Sequence, residues 1–219
     1  MDESGKTEKN IVTPKTGRYY LLGKPDYGTE NIWFALHGYG FLAADFAAEF
    51  SAAVKEKTIV IVPEALNKFY LKGFHGKVGA SWMTKEDREN EIKDYLCFLN
   101  NVYGREVSRI FKPDLKISIL GFSQGTAAAV RWTMQNKFKV DKLILWGGGL
   151  PRDIDYKKAS ITFASTKLII VAGENDEFIT EDKLSEETVF LDEHKIRYTL
   201  KRYPGKHEPD KELLAELIS

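Results

Sequence analysis

The sequence predicts an α/β domain built on a mostly parallel twisted sheet with helices on both faces. Three observations predict it. Short apolar runs such as Ile59-Val60-Ile61-Val62 and Leu168-Ile169-Ile170-Val171 are nearly unbroken. A strand covered by helices on both sides needs this, because neither face meets water. These runs alternate with longer stretches of helical period, the pattern of βα units around a parallel sheet. Finally, 219 residues is an ordinary size for one such domain, and a chain of this length buries roughly 70% of its unfolded surface without disulfides or metal.

The strand candidates are residues 18–22, 31–36, 58–62, 116–120, 142–146, 167–172 and 198–202. The first two flank the turn region 23–30 and are expected to pair antiparallel at an edge. Helical candidates follow. Residues 85–103 place Ile92, Tyr95, Leu96, Leu99 and Val102 on one stripe. Thr84 followed by Asp87 suits a capping box at the start of that helix. Residues 124–135 open with Ala127, Ala128 and Ala129, small enough for a helix to lie close on a sheet. Residues 180–194 open with Glu181 and Asp182, favourable near the positive end of the helix dipole. A last helix is expected over 210–218. Residues 63–83 resist assignment: Phe69, Tyr70, Phe74 and Trp82 stand among Gly73, Gly76 and Gly79. A loop this long in a compact domain is usually functional or mobile. Its aromatics are divided between packing and facing a substrate.

Residues 1–17 read as a polar N-terminal segment and 18–219 as the domain. Composition excludes several functions. Hydrophobic residues make up 43% and charged residues 29%, which is globular and not disordered. The 32 basic and 32 acidic residues cancel, so no broad electrostatic pull toward nucleic acid or an anionic membrane is expected. The lone Cys97 cannot close an internal disulfide and fits a reducing compartment. No run of about 20 apolar residues is present to span a membrane, and the start of the chain lacks the apolar stretch of a secretory signal. The expectation is a soluble, cytoplasmic protein. No C-x-x-C, H-E-x-x-H, P-loop or dinucleotide fingerprint occurs, so neither metal nor cofactor is expected.

The strongest local signal is Gly121-Phe122-Ser123-Gln124-Gly125, which follows an apolar strand and opens the alanine-rich helix. This is the G-x-S-x-G nucleophile elbow in its strand–turn–helix context. The small flanking residues let strand and helix approach closely, and the turn pushes the hydroxyl into open space. The helix that follows aims free backbone N–H groups at the same point. The plainer reading is a tight turn with no chemistry. A serine hydroxyl is a poor nucleophile unless a base takes its proton. Of four histidines, His194 lies near a helix end and reads as solvated, and His75 sits in the glycine-rich loop with no assignable role. His37 ends an early strand, and His207 follows the last strand in Tyr203-Pro204-Gly205-Lys206-His207. His207 falls on the same rim as Ser123 and in the order Ser…Asp…His. The base needs an acid to hold its tautomer. Asp176, just after the 167–172 strand, leads, with Glu174 and Glu177 as competitors.

A developing oxyanion needs two backbone donors. One is the N–H of Gln124, directly after the nucleophile. The second belongs to a loop after an early strand. Leu36-His37-Gly38-Tyr39-Gly40 occupies that place, and the Tyr39 N–H is the expected donor, with His37 orienting the loop. Gly147-Gly148-Gly149 leads into Leu150-Pro151 and reads as a bend near the same rim.

The set LHGYG, GFSQG, AGENDEFI and YPGKHE resembles the α/β-hydrolase superfamily, and within it the small phospholipase/carboxylesterase group that includes acyl-protein thioesterases. The resemblance runs from about Tyr19 to the end, and Ser81-Trp82-Met83 is similar to that group's Ser-Trp-aromatic segment. It implies a single-domain α/β-hydrolase with Ser123 as nucleophile, Asp176 as acid, His207 as base, and the Tyr39 and Gln124 amides as oxyanion hole. Two departures bear on substrate identity: Phe41 stands where the family often has an acidic residue, and Met83 replaces an aromatic. The related dienelactone hydrolases use cysteine at the elbow, which Ser123 argues against. Cys97, within a helix stripe, reads as a packed core thiol.

The function implied is hydrolysis of carboxylic esters or thioesters through an acyl-enzyme on Ser123, with a small-molecule substrate and no cofactor. Phe41, Phe74 and Trp82 are candidate substrate contacts. A homodimer stays open. Two alternatives remain: a non-catalytic binding protein that kept the fold, and a peptidase of the same superfamily, ranked lower because the chain leaves little room for a cap domain.

Overall fold

The computed structural model describes residues 6–135 and 138–218. The first five residues of the expected N-terminal segment lie outside them. The elements run in the order β1 (Tyr19–Leu22), β2 (Asn31–Leu36), α1 (Ala43–Phe50), β3 (Thr58–Pro63), β4 (Asn67–Tyr70), β5 (Val78–Ser81), α2 (Arg88–Val107), β6 (Lys116–Phe122), α3 (Gln124–Gln135), β7 (Lys142–Trp146), α4 (Tyr156–Phe163), β8 (Lys167–Gly173), α5 (Glu181–Glu193), β9 (Thr199–Tyr203) and α6 (Lys211–Ile218).

A seven-stranded sheet of order β1-β3-β2-β6-β7-β8-β9 forms the centre. All its neighbours are parallel except β1, which pairs antiparallel with β3. The expected β1–β2 hairpin is therefore wrong. Tyr20 lies opposite Val62 and Leu21 opposite Ile61, because β2 takes β3 on one side and β6 on the other. Consecutive β2 and β3 lie on one side, and β6 to β9 run away on the other. The strand order reverses between β2 and β6, which opens a crevice at their carboxyl ends.

The period of two sorts the strand residues into two cores. Ile32, Phe34, Leu36, Ile59 and Ile61 face α2, α3, α4 and α5. Trp33, Ala35, Val60 and Val62 face α1 and α6. This accounts for the unbroken apolar strands: each alternate residue serves a different layer. Ala128 and Ala129 of α3 are fully buried, and their small side chains let that helix approach the sheet.

Several local expectations are corrected. The long segment before Met83 contains a small antiparallel hairpin, β4 with β5, separate from the main sheet. Helix α2 begins at Arg88 and lacks the capping box: Asp87 sits at φ +48 and makes no side-chain cap bond. Thr84 Oγ1 instead lies 3.1 Å from Glu91 Oε2. Cys97 is exposed, one step off the stripe formed by Leu96 and Leu99 on α2. Helices α1 and α4, of eight residues each, escape the sequence reading. A signal for α4 was present: Asp155 Oδ1 accepts from the Lys158 amide at 3.1 Å, an N-cap.

Candidate active site

Ser123 sits between β6 and α3 with φ +51, the left-handed region that side chains other than glycine rarely adopt. Its neighbours explain how the chain tolerates this. A Cβ on Gly121 would stand 2.4 Å from Gly125 O, and one on Gly125 would stand 2.2 Å from Leu36 O. Only glycine fits at either position, and strand, helix and the end of β2 close around the turn. The Ser123 amide donates to Trp146 O at 2.8 Å, and the Thr126 hydroxyl donates to Ser123 O at 2.7 Å. The backbone is held, and the hydroxyl is presented at the carboxyl edge of the sheet.

His207 comes from the loop after β9. Its Nε2 lies 2.8 Å from Ser123 Oγ, and its Nδ1 lies 2.7 Å from Asp176 Oδ2. With Nδ1 carrying its proton toward the carboxylate, Nε2 is left to accept from the serine hydroxyl. Asp176 follows β8 and is buried, whereas Glu174 and Glu177 are exposed. The second carboxylate oxygen, Oδ1, accepts from the Phe178 and Ile179 amides at 2.8 and 2.9 Å. Both lone-pair faces of the acid are thus engaged, and the carboxylate cannot turn away from the ring.

The two loops are fastened to each other. The Glu174 amide donates to Tyr203 O and the Asn175 amide to Gly205 O, both at 2.9 Å. The Tyr203 hydroxyl lies 2.5 Å from Lys206 O and 2.6 Å from Glu208 O. It also accepts from Trp146 Nε1 at 3.2 Å. A single phenol thus ties down the residues before and after His207. Burial pushes the Tyr203 phenol above its ordinary value, which keeps it protonated as a donor. The His207 ring lies between Phe122 and Phe178, with centroid distances of 5.1 and 4.7 Å. These roles for Tyr203 and Phe178 escape the sequence reading. The usable signal was an aromatic residue shortly before the histidine and another shortly after the acid.

The loop after β2 reaches the same place. A Cβ on Gly38 would stand 3.2 Å from Ser123 Cβ. In this loop the Gly40 amide donates to Ala80 O and the Phe41 amide to Gly38 O. The amides of Tyr39 and Gln124 carry no such bond among the described residues. For Gln124 this follows from its place in the first turn of α3. His37 is fully buried. Its Nδ1 lies 2.8 Å from Gly38 O and its Nε2 accepts from the Ala65 amide at 3.0 Å. Burial holds its pKa below the ordinary value, so the neutral ring braces the loop. The nearby carboxylate of Glu64 is pushed up by burial, but hydrogen bonds from Arg18, Lys68 and the Ala43 amide outweigh this and lower it.

The three candidate substrate contacts separate. Trp82 is 1% exposed and its Nε1 donates to His37 O at 2.8 Å, so it is core and does not face a substrate. Its indole carries a polar N–H that needs a buried acceptor, which His37 O supplies. The Gln124 side chain secures the same segment: Oε1 accepts from the Trp82 amide at 2.9 Å and Nε2 donates to Met83 O at 2.8 Å. Phe41 is half-buried beside Phe46 and Phe122. Phe74, in the turn between β4 and β5, is 93% exposed. Of the remaining histidines, His75 is exposed. His194 is half-buried against Tyr156 and Phe190 rather than solvated. The Gly147 bend touches the site directly, since a Cβ there would stand 3.0 Å from His207 Cε1. Among the described residues no group of three or more His, Cys, Asp or Glu is arranged to hold a metal ion.

A family model described as phospholipase/carboxylesterase matches residues 29–219. The chain belongs to that family. No curated protein matches the chain in sequence. Solved structures agree on the phospholipase/carboxylesterase fold. Acyl-protein thioesterase 2 from Zea mays superimposes with a TM-score of 0.69 at 17% identity, covering 93% of this chain and 96% of that one. A carboxylesterase from Mesorhizobium loti gives 0.68 at 16%, covering 95% of each chain. A phospholipase/carboxylesterase from Dyadobacter fermentans gives 0.63 at 18%, covering 95% and 99%. At these identities the likeness speaks for the α/β-hydrolase fold. Among the described residues no helix is long and apolar enough to cross a membrane.

Proposed function

We propose that this chain is a serine hydrolase that cleaves carboxylic esters or thioesters through an acyl-enzyme on Ser123. The observation that carries the reading is the continuous chain of hydrogen-bond distances, 2.8 Å from Ser123 Oγ to His207 Nε2 and 2.7 Å from His207 Nδ1 to Asp176 Oδ2.

His207 takes the Ser123 proton as the oxygen attacks the acyl carbonyl. The carbonyl oxygen becomes an oxyanion and receives the Tyr39 and Gln124 amides, and the Asp176 carboxylate stabilises the imidazolium. Collapse of the tetrahedral intermediate breaks the bond to the alcohol or thiol, which departs with the proton from Nε2. Water then enters, gives a proton to His207 and attacks the acyl-serine. The acid leaves and Ser123 regains its proton. Every step uses groups of this chain, and no cofactor is invoked. Small-molecule esters of short to medium acyl length are the expected substrates, and the cytoplasm is the expected compartment.

Two measurements test this. A fluorophosphonate probe should label the parent and fail to label Ser123→Ala. An unlabelled parent favours a non-catalytic binding protein. A scan of p-nitrophenyl esters of rising acyl length, with one thioester included, should peak at short to medium chains. An optimum at long chains overturns that preference.

A further inference from the structure

Phe178 is 62% exposed, yet it is not a loose surface residue. Its amide donates to Asp176 Oδ1 at 2.8 Å, and its carbonyl accepts from Lys183 Nζ at 2.8 Å. Its ring lies 4.7 Å from that of His207, tilted by 53°. Scattered exposed apolar residues are normal and mean nothing singly. This one is anchored by the acid of the site and laid against its base, with most of its surface left open.

The chemistry of acyl transfer says what meets that surface. The acyl oxygen turns toward the Tyr39 and Gln124 amides. The departing alcohol or thiol must take its proton from His207 Nε2, so it lies beside the imidazole. We propose that Phe178 is the specificity-determining residue for the leaving group, and that it selects an uncharged apolar alcohol or thiol, aryl or alkyl, over a small or anionic one. The charges nearby point the same way. Glu174 and Glu177 flank it on its own loop and are exposed, and Glu208 adjoins His207 on the other; these three carboxylates face two cations, Lys206 and the Lys183 that bonds the Phe178 carbonyl. An anionic leaving group would meet net repulsion there. An apolar one gains contact with the open ring.

The inference rests on the acyl-transfer reading above, and the test separates the two. Methyl and benzyl esters of one short acid are compared by kcat/KM, which reports acylation, the half-reaction in which the leaving group is present. The intrinsic reactivity of the two alcohols cancels when the benzyl-to-methyl ratio is compared between proteins. In Phe178→Ala that ratio should fall about fivefold to thirtyfold, the size expected for lost aromatic burial. Phe178→Leu should recover part of it. Ile161→Ala, which removes an exposed apolar side chain of α4, should leave it at the parental value. An unchanged ratio in Phe178→Ala, or an equal loss on both esters, overturns the inference while the hydrolase reading stands. If Phe178→Ala has too little activity to measure, the ratio in Phe178→Leu decides by the same criterion. A parent that takes no fluorophosphonate label and cleaves neither ester overturns both.

Discussion

Gly147 holds its backbone against the edge of the His207 imidazole: a methyl group in place of its hydrogen would stand 3.0 Å from Cε1 and 3.2 Å from Nδ1. Gly147 also has φ +62, so the position excludes a side chain twice over. Gly147→Ala should displace the ring from Ser123. A shift of about 1 Å in a catalytic group costs on the order of 10²-fold, and kcat/KM on p-nitrophenyl acetate should fall by about that factor. The strained backbone should also lower stability by roughly 1–3 kcal/mol, read from urea melts. Full activity in this variant would mean the loop moves freely.

Tyr203 makes a second, separable contribution to the same ring. Tyr203→Phe keeps the ring packing against Gly205 and Trp146 and removes the hydroxyl that bonds Lys206 O and Glu208 O and accepts from Trp146 Nε1. Stability should fall by about 1–3 kcal/mol, because the buried Trp146 N–H is left without its acceptor. Turnover should fall about tenfold with KM little changed, because the loop loses its register and the substrate pocket does not. Steady-state kinetics beside a thermal melt distinguish this from general damage. A loss confined to KM would contradict the role.

The left-handed backbone of Ser123 predicts an inversion of the usual order of substitutions. Alanine at φ +51 keeps the strain, while glycine relieves it at no steric cost. Both Ser123→Ala and Ser123→Gly should be inactive, yet the glycine variant should be more stable by about 0.5–1 kcal/mol. Equal urea midpoints would show that the turn stores no strain there.

Acid should destabilise the fold in two stages. The folded state holds His37 below its ordinary pKa of 6.5, so the unfolded chain binds a proton first as pH falls. The stability from the neutral buried ring is complete above about 6.5 and is lost below it, at no more than about 1.4 kcal/mol per pH unit. Glu64 is also lowered in the folded state. Its contribution is complete above the ordinary carboxylate range near 4.5 and fades as pH falls through the folded value. Urea midpoints from pH 7.5 to 3.5 should therefore bend once near 6.5 and again below 4.5. Glu64→Gln should flatten only the lower part.

Much of this molecule is legible in its residues because the informative features are local. Doubly covered strands announce themselves as unbroken apolar runs, and the Gly121–Gly125 turn carries its own steric explanation. His207 and Asp176 could be chosen because parallel strands deliver everything after them to one rim. What escaped depends on contacts between distant segments. The partner of β1 is decided by which edge of the sheet is vacant, and no residue within 18–22 encodes that. Trp82 reads as a candidate substrate contact until the acceptor at His37 O is seen. Cys97 missed the core by a single helical step. Tyr203 is an ordinary strand residue in the sequence, and only the wrapping of the following loop around its ring gives its hydroxyl a task.

Ser123, Asp176 and His207 hang from three strands, β6, β8 and β9, with β7 lying between the first and the second. During synthesis Ser123 emerges 84 residues before His207. A nascent chain can build most of the sheet and still hold an inert hydroxyl. On the proposed mechanism, reactivity arrives only when the last parallel strand docks, so covalent capture by a phosphonate would serve as a clock for the final act of folding.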